Sequence, residues 1–175
     1  LANVENQIDS KGAKDAAIFR FLVWYMKIPN ENKHSILYQA VISRESYIAN
    51  LLFENACIVD SAQGFSESEL NDLHAHFHRC ARDGELDLFN ILVNQSVINL
   101  NSQDQHGWTA LHFAASYGRA NIVSLLLERR HICISTENSE QHTAFYYALH
   151  PKFEGQGYLD TANLLFKRGA RLSKD

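Results

Sequence analysis

The stretch D-Q-H-G-W-T-A-L-H-F-A-A-S-Y-G-R-A-N-I-V-S-L-L-L, residues 104–127, decides how this chain folds. It reads as a turn at Gly107, a short helix opened by Thr109, a corner at Gly118 and a second helix. The Thr109 hydroxyl is placed to accept one of the backbone N–H groups that a helix start leaves unpaired. Leu111, Ala114 and Ala115 fall on one small, apolar helix face. Gly118 can take the left-handed conformation that ends the helix. Ile122, Val123, Leu125, Leu126 and Leu127 then make a helix that is apolar over most of its girth, and such a helix must lie between neighbours. A unit of this size cannot bury both faces alone, so it has to recur along the chain.

It does recur. His78 and His112 stand 34 residues apart, as do His112 and Tyr146, and Gly84 and Gly118. T-A-L-H-F-A-A, Gly118 and I-V-S-L-L-L together resemble the ankyrin repeat, whose pattern is T-P-L-H-x-A-A, a corner glycine, I-V-x-L-L-L and a Gly-Ala-x-Val-Asn exit; Ala110 takes the proline place. The resemblance implies an all-α ankyrin-repeat solenoid of stacked helix-turn-helix units joined by short hairpin loops. The family period is 33 residues, so two repeats carry one extra residue each, before Leu100 and before Ile134.

The segments follow from that register. Residues 1–32 hold a polar lead-in and an N-terminal capping helix, with Ala17, Phe21, Trp24, Tyr25 and Ile28 at helical spacing and Pro29 ending it. Residues 33–65 read as a degenerate first repeat in which Ser35 caps, Tyr38 replaces the histidine and Arg44 replaces the corner glycine. Residues 66–103 form a second repeat whose first helix is extended, because Ser66 with Glu69 makes a capping box ahead of it and about seven extra residues fall near 61–71. That helix is expected from Glu67 to Arg82. Residues 104–137 are the third repeat. Residues 138–175 are the fourth, opened by Thr143, with Gln141 in the turn-glycine place, a helix–helix insertion around Pro151, and a basic C-terminal end at Lys167, Arg168, Arg171 and Lys174.

Composition sets further bounds. With 46% hydrophobic and 21% charged residues the chain reads as a globular domain, and a formal net charge of −4 gives no reason to expect nucleic acid or an anionic membrane as partner. No apolar run approaches the roughly 20 residues that span a bilayer, so no membrane insertion is expected. Cys57, Cys80 and Cys133 are scattered and odd in number, which suits buried or half-buried free thiols in a reducing compartment. A start at Leu1 suggests a piece excised from a longer protein.

His74, His76, His78 and Cys80 are the most tempting chemical cluster. His74 and His78 share one helical face at a spacing zinc can use. His76 and Cys80 lie on another face, so the four cannot converge on one ion, and the resemblance gives His78 and His112 a structural role, hydrogen-bonding in the turn region. Cys80 occupies a small inward position, away from the access a reactive thiol needs. The expectation is therefore no catalytic set, no metal, no cofactor and no enzyme.

What remains is surface for a protein partner. The resemblance implies a concave face lined by first helices and hairpin tips, here Arg79, Arg82, Phe113, Ser116, Tyr117 and Tyr147 with Gln105, His106, Trp108, Glu140 and His142. Arginine and aromatic residues dominate interface energetics, single hot spots being worth about 2 kcal/mol or more. Phe113 and Tyr147 have two readings: partner anchors, or packing against adjacent repeats; Trp108 has the same two. The function expected is a non-catalytic protein-interaction module, monomeric as an isolated domain, in a longer protein such as a host-directed bacterial or viral effector. Its location would be cytoplasmic, or host cytoplasm or nucleus if secreted. The alternative is the scaffold or regulatory domain of a larger enzyme.

Overall fold

A computed structural model of the chain describes residues 39–41, 43, 66–151 and 155–172. Six helices run through the described part: α1 (Glu67–Asp83), α2 (Leu86–Leu92), α3 (Ala110–Ser116), α4 (Ala120–Leu127), α5 (Ala144–Leu149) and α6 (Gln156–Lys167). They pair as α1/α2, α3/α4 and α5/α6, and each pair stacks on the next, α1 on α3, α3 on α5 and α4 on α6. Among the described residues the one β-feature is an antiparallel bridge between Glu137 and Thr143, at the base of a hairpin. This is the all-α stack of helix pairs that the repeat spacing predicts. The capping helix within 1–32 lies outside the described residues, as does the first repeat apart from the turn of helix at Gln39–Val41 and Ser43.

The helix boundaries follow from their caps. Ser66 and Glu69 form a reciprocal box: the Glu69 N–H donates to the Ser66 hydroxyl at 3.2 Å and the Ser66 N–H to the Glu69 carboxylate at 2.8 Å. That satisfies donors the first turn would leave bare, and α1 begins where the sequence places it. It ends one residue later than expected, with Gly84 in the left-handed conformation at φ 83°. Thr109 caps α3, its hydroxyl accepting from the His112 N–H. Thr143 opens α5 differently. Its buried hydroxyl lies 2.7 Å from the Arg171 carbonyl and 2.9 Å from that of Leu172, holding the C-terminal tail instead of the helix start.

The core is a continuous seam of inward faces. Phe77, Phe89 and Leu92 fill it in the first pair, Leu111, Ile122 and Leu126 in the second, and Leu165 in the third, all fully buried. The Phe77 and Phe89 rings stack at 4.7 Å. Each such side chain contributes about 1.5–3 kcal/mol by leaving water. Alanines at 81, 110, 114, 115 and 144 are buried between helices, where a larger side chain would hold neighbouring pairs apart. Cys80 is buried, whereas Cys133 is exposed. The expectation of a sheltered thiol at 133 is thus corrected: Cys133 lies in the loop after α4, its N–H held by the Asn101 side chain. Cys57 lies outside the described residues.

Candidate functional site

Two hairpins built to one plan frame the concave side. In the first, the Asp104 carboxylate accepts from the His106 and Trp108 N–H groups at 2.9 and 2.8 Å. In the second, the Asn138 side-chain oxygen accepts from the Glu140 and His142 N–H groups at 3.1 and 3.0 Å. Each hairpin closes with a backbone bond, Asp104 N–H to Trp108 carbonyl and Asn138 N–H to His142 carbonyl. Asp and Asn suit this place because a short side-chain acceptor can mimic a backbone turn. At the tips Gly107 has φ 75° and Gln141 φ 61°, the left-handed region in which a glutamine is strained. Neighbouring hairpins are tied as well: the Ser139 N–H donates to the His106 carbonyl at 3.0 Å, and the Gln103 amide donates to the Glu137 carbonyl at 3.2 Å.

Histidines set the spacing between repeats. The Thr109 N–H donates to His112 Nδ1 at 3.2 Å. That leaves Nε2 protonated, and it donates to the His142 carbonyl of the next hairpin at 3.0 Å. His78 Nε2 donates to the Ser102 carbonyl at 3.0 Å in the same way. Burial is the main reason both imidazoles titrate below the usual 6.5, with the backbone bonds and Asp104 opposing it. The His112 bonds therefore reach forward to the next hairpin as well as ordering their own turn, whereas His78 holds the exit of its own repeat. His74 Nε2 accepts the Asn99 N–H at 3.0 Å, so His74 and His78 are each committed to the backbone that follows α2. Among the described residues no group of three or more His, Cys, Asp or Glu side chains could hold a metal ion.

The residues expected on the concave face divide into two sets. Arg79, Gln105, His106, Tyr117 and Glu140 are exposed, and Arg82, Trp108, Phe113 and His142 are half-buried. Arg82 is tied to Asp83 at 2.8 Å, which raises its pKa further. Tyr147 and Ser116 are corrections, because both are buried. Tyr147 is 8% exposed; its hydroxyl accepts from the Asn138 amide at 2.7 Å and donates to Glu140 at 2.6 Å. Burial, with the Glu140 bond, pushes its pKa up to about 12. The Trp108 ring lies 4.6 Å from that of Tyr147 and 5.1 Å from that of Phe113. Trp108, Phe113 and Tyr147 thus form one wall joining hairpins to helices, and packing is the reading the geometry supports for Tyr147. The Asp104 and Asn138 clamps escaped the sequence reading, although their 34-residue separation carries the signal.

Between α1 and α3 the concave side opens into a groove of about 430 Å³, lined by Asp72, His76, Arg79, Arg82, Asp104 and Phe113. Its lining carries both charge signs and the Phe113 ring.

The family model described as ankyrin repeats, in three copies, matches residues 77–175, more than half of the chain. The chain belongs to the ankyrin-repeat family. It is 34% identical over 95 residues to human NAD-capped RNA hydrolase NUDT12, covering 54% of this chain and 19% of that protein. It is 30% identical over 93 residues to the transient receptor potential cation channel subfamily A member 1 homolog of Caenorhabditis elegans, covering 53% of this chain and 8% of the channel. Among solved structures, EF0377, an ankyrin repeat protein, superposes with a TM-score of 0.57 at 25% identity, covering 77% of this chain and 64% of that one. The ankyrin chain thus spans about a fifth or less of these curated relatives. Its fold is a protein-interaction repeat, and the matched span holds three copies of it. Among the described residues no helix is long and apolar enough to cross a membrane.

Proposed function

We propose that this chain is a non-catalytic binding module that takes a protein partner in the groove between α1 and α3 and on the adjoining hairpin tips. One observation carries the reading. Arg79 lines a groove that the helix stack leaves unfilled, and both Arg79 and exposed Tyr117, a neighbour of the groove residue Arg82, are residue types that anchor interfaces. The partner is a segment able to pair with a guanidinium and stack on an aromatic edge. The wider setting, a longer host-directed effector acting in the cytoplasm or nucleus, belongs to the same proposal, and a tagged chain expressed in cultured cells tests the location directly.

The test of the binding face is quantitative capture from eukaryotic lysate by the wild-type chain and by Arg79→Ala/Tyr117→Ala. Neither side chain supports the core, so the double variant should keep its melting temperature within about 2 °C. It should lose about thirtyfold or more in affinity for any specifically captured protein, the equivalent of one hot spot of about 2 kcal/mol. Undiminished capture by the variant removes the groove from consideration. A second reading has its own observation: the similarity to NUDT12 covers only 19% of that hydrolase, which suits a scaffold or regulatory portion of a larger enzyme. The full-length reading frame separates the two, since only the second requires a domain bearing catalytic residues.

A further inference from the structure

The last repeat is finished differently from the two before it. In the inner repeats the stack covers Ala81 and Ala115 on the first helix and Val93 and Leu127 at the end of the second, all of them buried. The same register positions in the last repeat are Leu149 and Phe166, which are 46% and 70% exposed. Leu159, one heptad before Phe166 on α6, is 62% exposed, and Leu172 beyond the helix is exposed too. Terminal repeats of solenoids ordinarily present a polar outer face. Here the end face carries larger apolar groups than the buried positions it repeats, and exposed apolar patches of this kind mark contact surfaces.

A further ankyrin repeat is not what this face is built to receive. Gly107 carries no side chain because a Cβ there would meet the Ser139 N–H group of the next hairpin at 2.9 Å. Its counterpart is Gln141, whose side chain would stand in that path. His112 reaches forward to the next hairpin's carbonyl; its counterpart is Tyr146, whose ring instead stacks between His142 at 3.7 Å and His150 at 4.3 Å. These two features of the hairpin-to-hairpin contact have no counterpart in the last repeat, while the apolar helix face remains.

Charge decides between the other occupants. Lys167 and Arg171 are exposed, next in the chain to Phe166 and Leu172, whereas Arg168 turns back to the preceding repeat and donates to the Leu127 carbonyl. The nearest carboxylate on α6, Asp160, accepts from Gln156 and faces the corner at Gly118 and Arg119. A second copy of this chain would set like charges against each other, which costs affinity. An acidic partner is complementary. We propose that the C-terminal end face formed by Leu149, Leu159, Phe166 and Leu172 is a second docking surface, whose occupant is an amphipathic helix of a partner protein with an apolar stripe flanked by carboxylates. Such a helix continues the stack by packing on α5 and α6 as those pack on α3 and α4, without a hairpin. The surface is separate from the concave groove and stands whether or not that groove binds.

The test is selection from a display library of random 16-residue peptides against the whole chain, with counter-selection on Leu159→Asp/Phe166→Asp. Both side chains are exposed, so a thermal melt should show that variant folded. The expected winners place apolar residues at i, i+3 or i+4, and i+7 with Asp and Glu between them. They should bind at least tenfold more weakly to the counter-selected variant and to Lys167→Glu/Arg171→Glu, yet equally well to Arg79→Ala/Tyr117→Ala. Winners without acidic enrichment, or winners indifferent to these end-face variants, overturn the proposal. So does a dimer in sedimentation velocity that Phe166→Asp abolishes, which assigns the face to a second copy. Flotation with phosphatidylserine vesicles that the same substitution abolishes also overturns it, assigning the face to a lipid surface.

Discussion

At the scale of single residues, two buried polar groups show what function-like side chains do in this molecule. His78 and His112 hold their protons on Nε2 to reach the Ser102 carbonyl and the His142 carbonyl, and burial lowers the affinity of each ring for a second proton. The unfolded chain, with histidines near 6.5, takes up that proton more readily. Stability is therefore complete above about pH 6.5 and declines as pH falls below it, by up to about 1.4 kcal/mol per pH unit for each histidine. Urea unfolding at about pH 7.5 and pH 5.5 should show the loss, and His112→Gln should show a shallower pH dependence from a lower starting stability. Tyr147 is the second case. Removing its hydroxyl in Tyr147→Phe leaves the Asn138 amide without its 2.7 Å partner and Glu140 without a donor at 2.6 Å. A loss of about 1 kcal/mol in urea unfolding is expected, because the Glu140 end is open to water. A loss within about 0.2 kcal/mol would mean that water replaces the hydroxyl. In sequence, Tyr147 sits at the position of exposed Arg79 and half-buried Phe113, so register alone reads it as surface. Only the hairpin's inward Asn138 amide, a contact across nine positions, shows that it is not.

Elements reveal the limit of pattern reading from the other side. Thr109, Gly118 and the Ser66/Glu69 box mark α3, the α3/α4 corner and α1 in the sequence because caps and left-handed glycines are local chemistry. What is not local is the approach of one repeat to the next, and Gly157 shows it. It lies in the first turn of α6, where a Cβ would stand 2.3 Å from the Gly118 carbonyl oxygen. Glycine in a helix ordinarily gives up about 0.8–1 kcal/mol relative to alanine, so propensity alone predicts that Gly157→Ala stabilises. Geometry reverses the sign. The clash is with backbone, which cannot rotate away, and forcing the corner from α6 should cost about 1–3 kcal/mol net. Chemical denaturation decides between the two: a gain in stability would show that the corner and α6 are not in contact.

The whole molecule behaves as a line of neighbours, and that makes the same substitution a probe of the stack. Every tie described between repeats joins one unit to the next: Asn101 with the backbone at His131 and Cys133, Gln103 with Glu137, and Arg168 with the Leu127 carbonyl. In such an array stability is a sum of units and adjacent interfaces, and opening can begin at an end. The last interface holds the Gly118–Gly157 approach, and its outer side has the exposed apolar end face. The α5/α6 pair is therefore the unit that should open first, below the free energy of global unfolding. Native-state hydrogen exchange followed residue by residue tests this. In Gly157→Ala the amides of α5 and α6 should lose tenfold or more of their protection, an opening cheaper by about 1.4 kcal/mol, while α1 and α2 stay within about twofold of the wild type. Saturating the end face with an acidic amphipathic helix should restore protection to α5 and α6 first, because a ligand adds its binding free energy only to the unit whose closed form it recognises. Uniform loss across all six helices would mean that the stack unfolds as one body, and nearest-neighbour coupling would then be the wrong description of it.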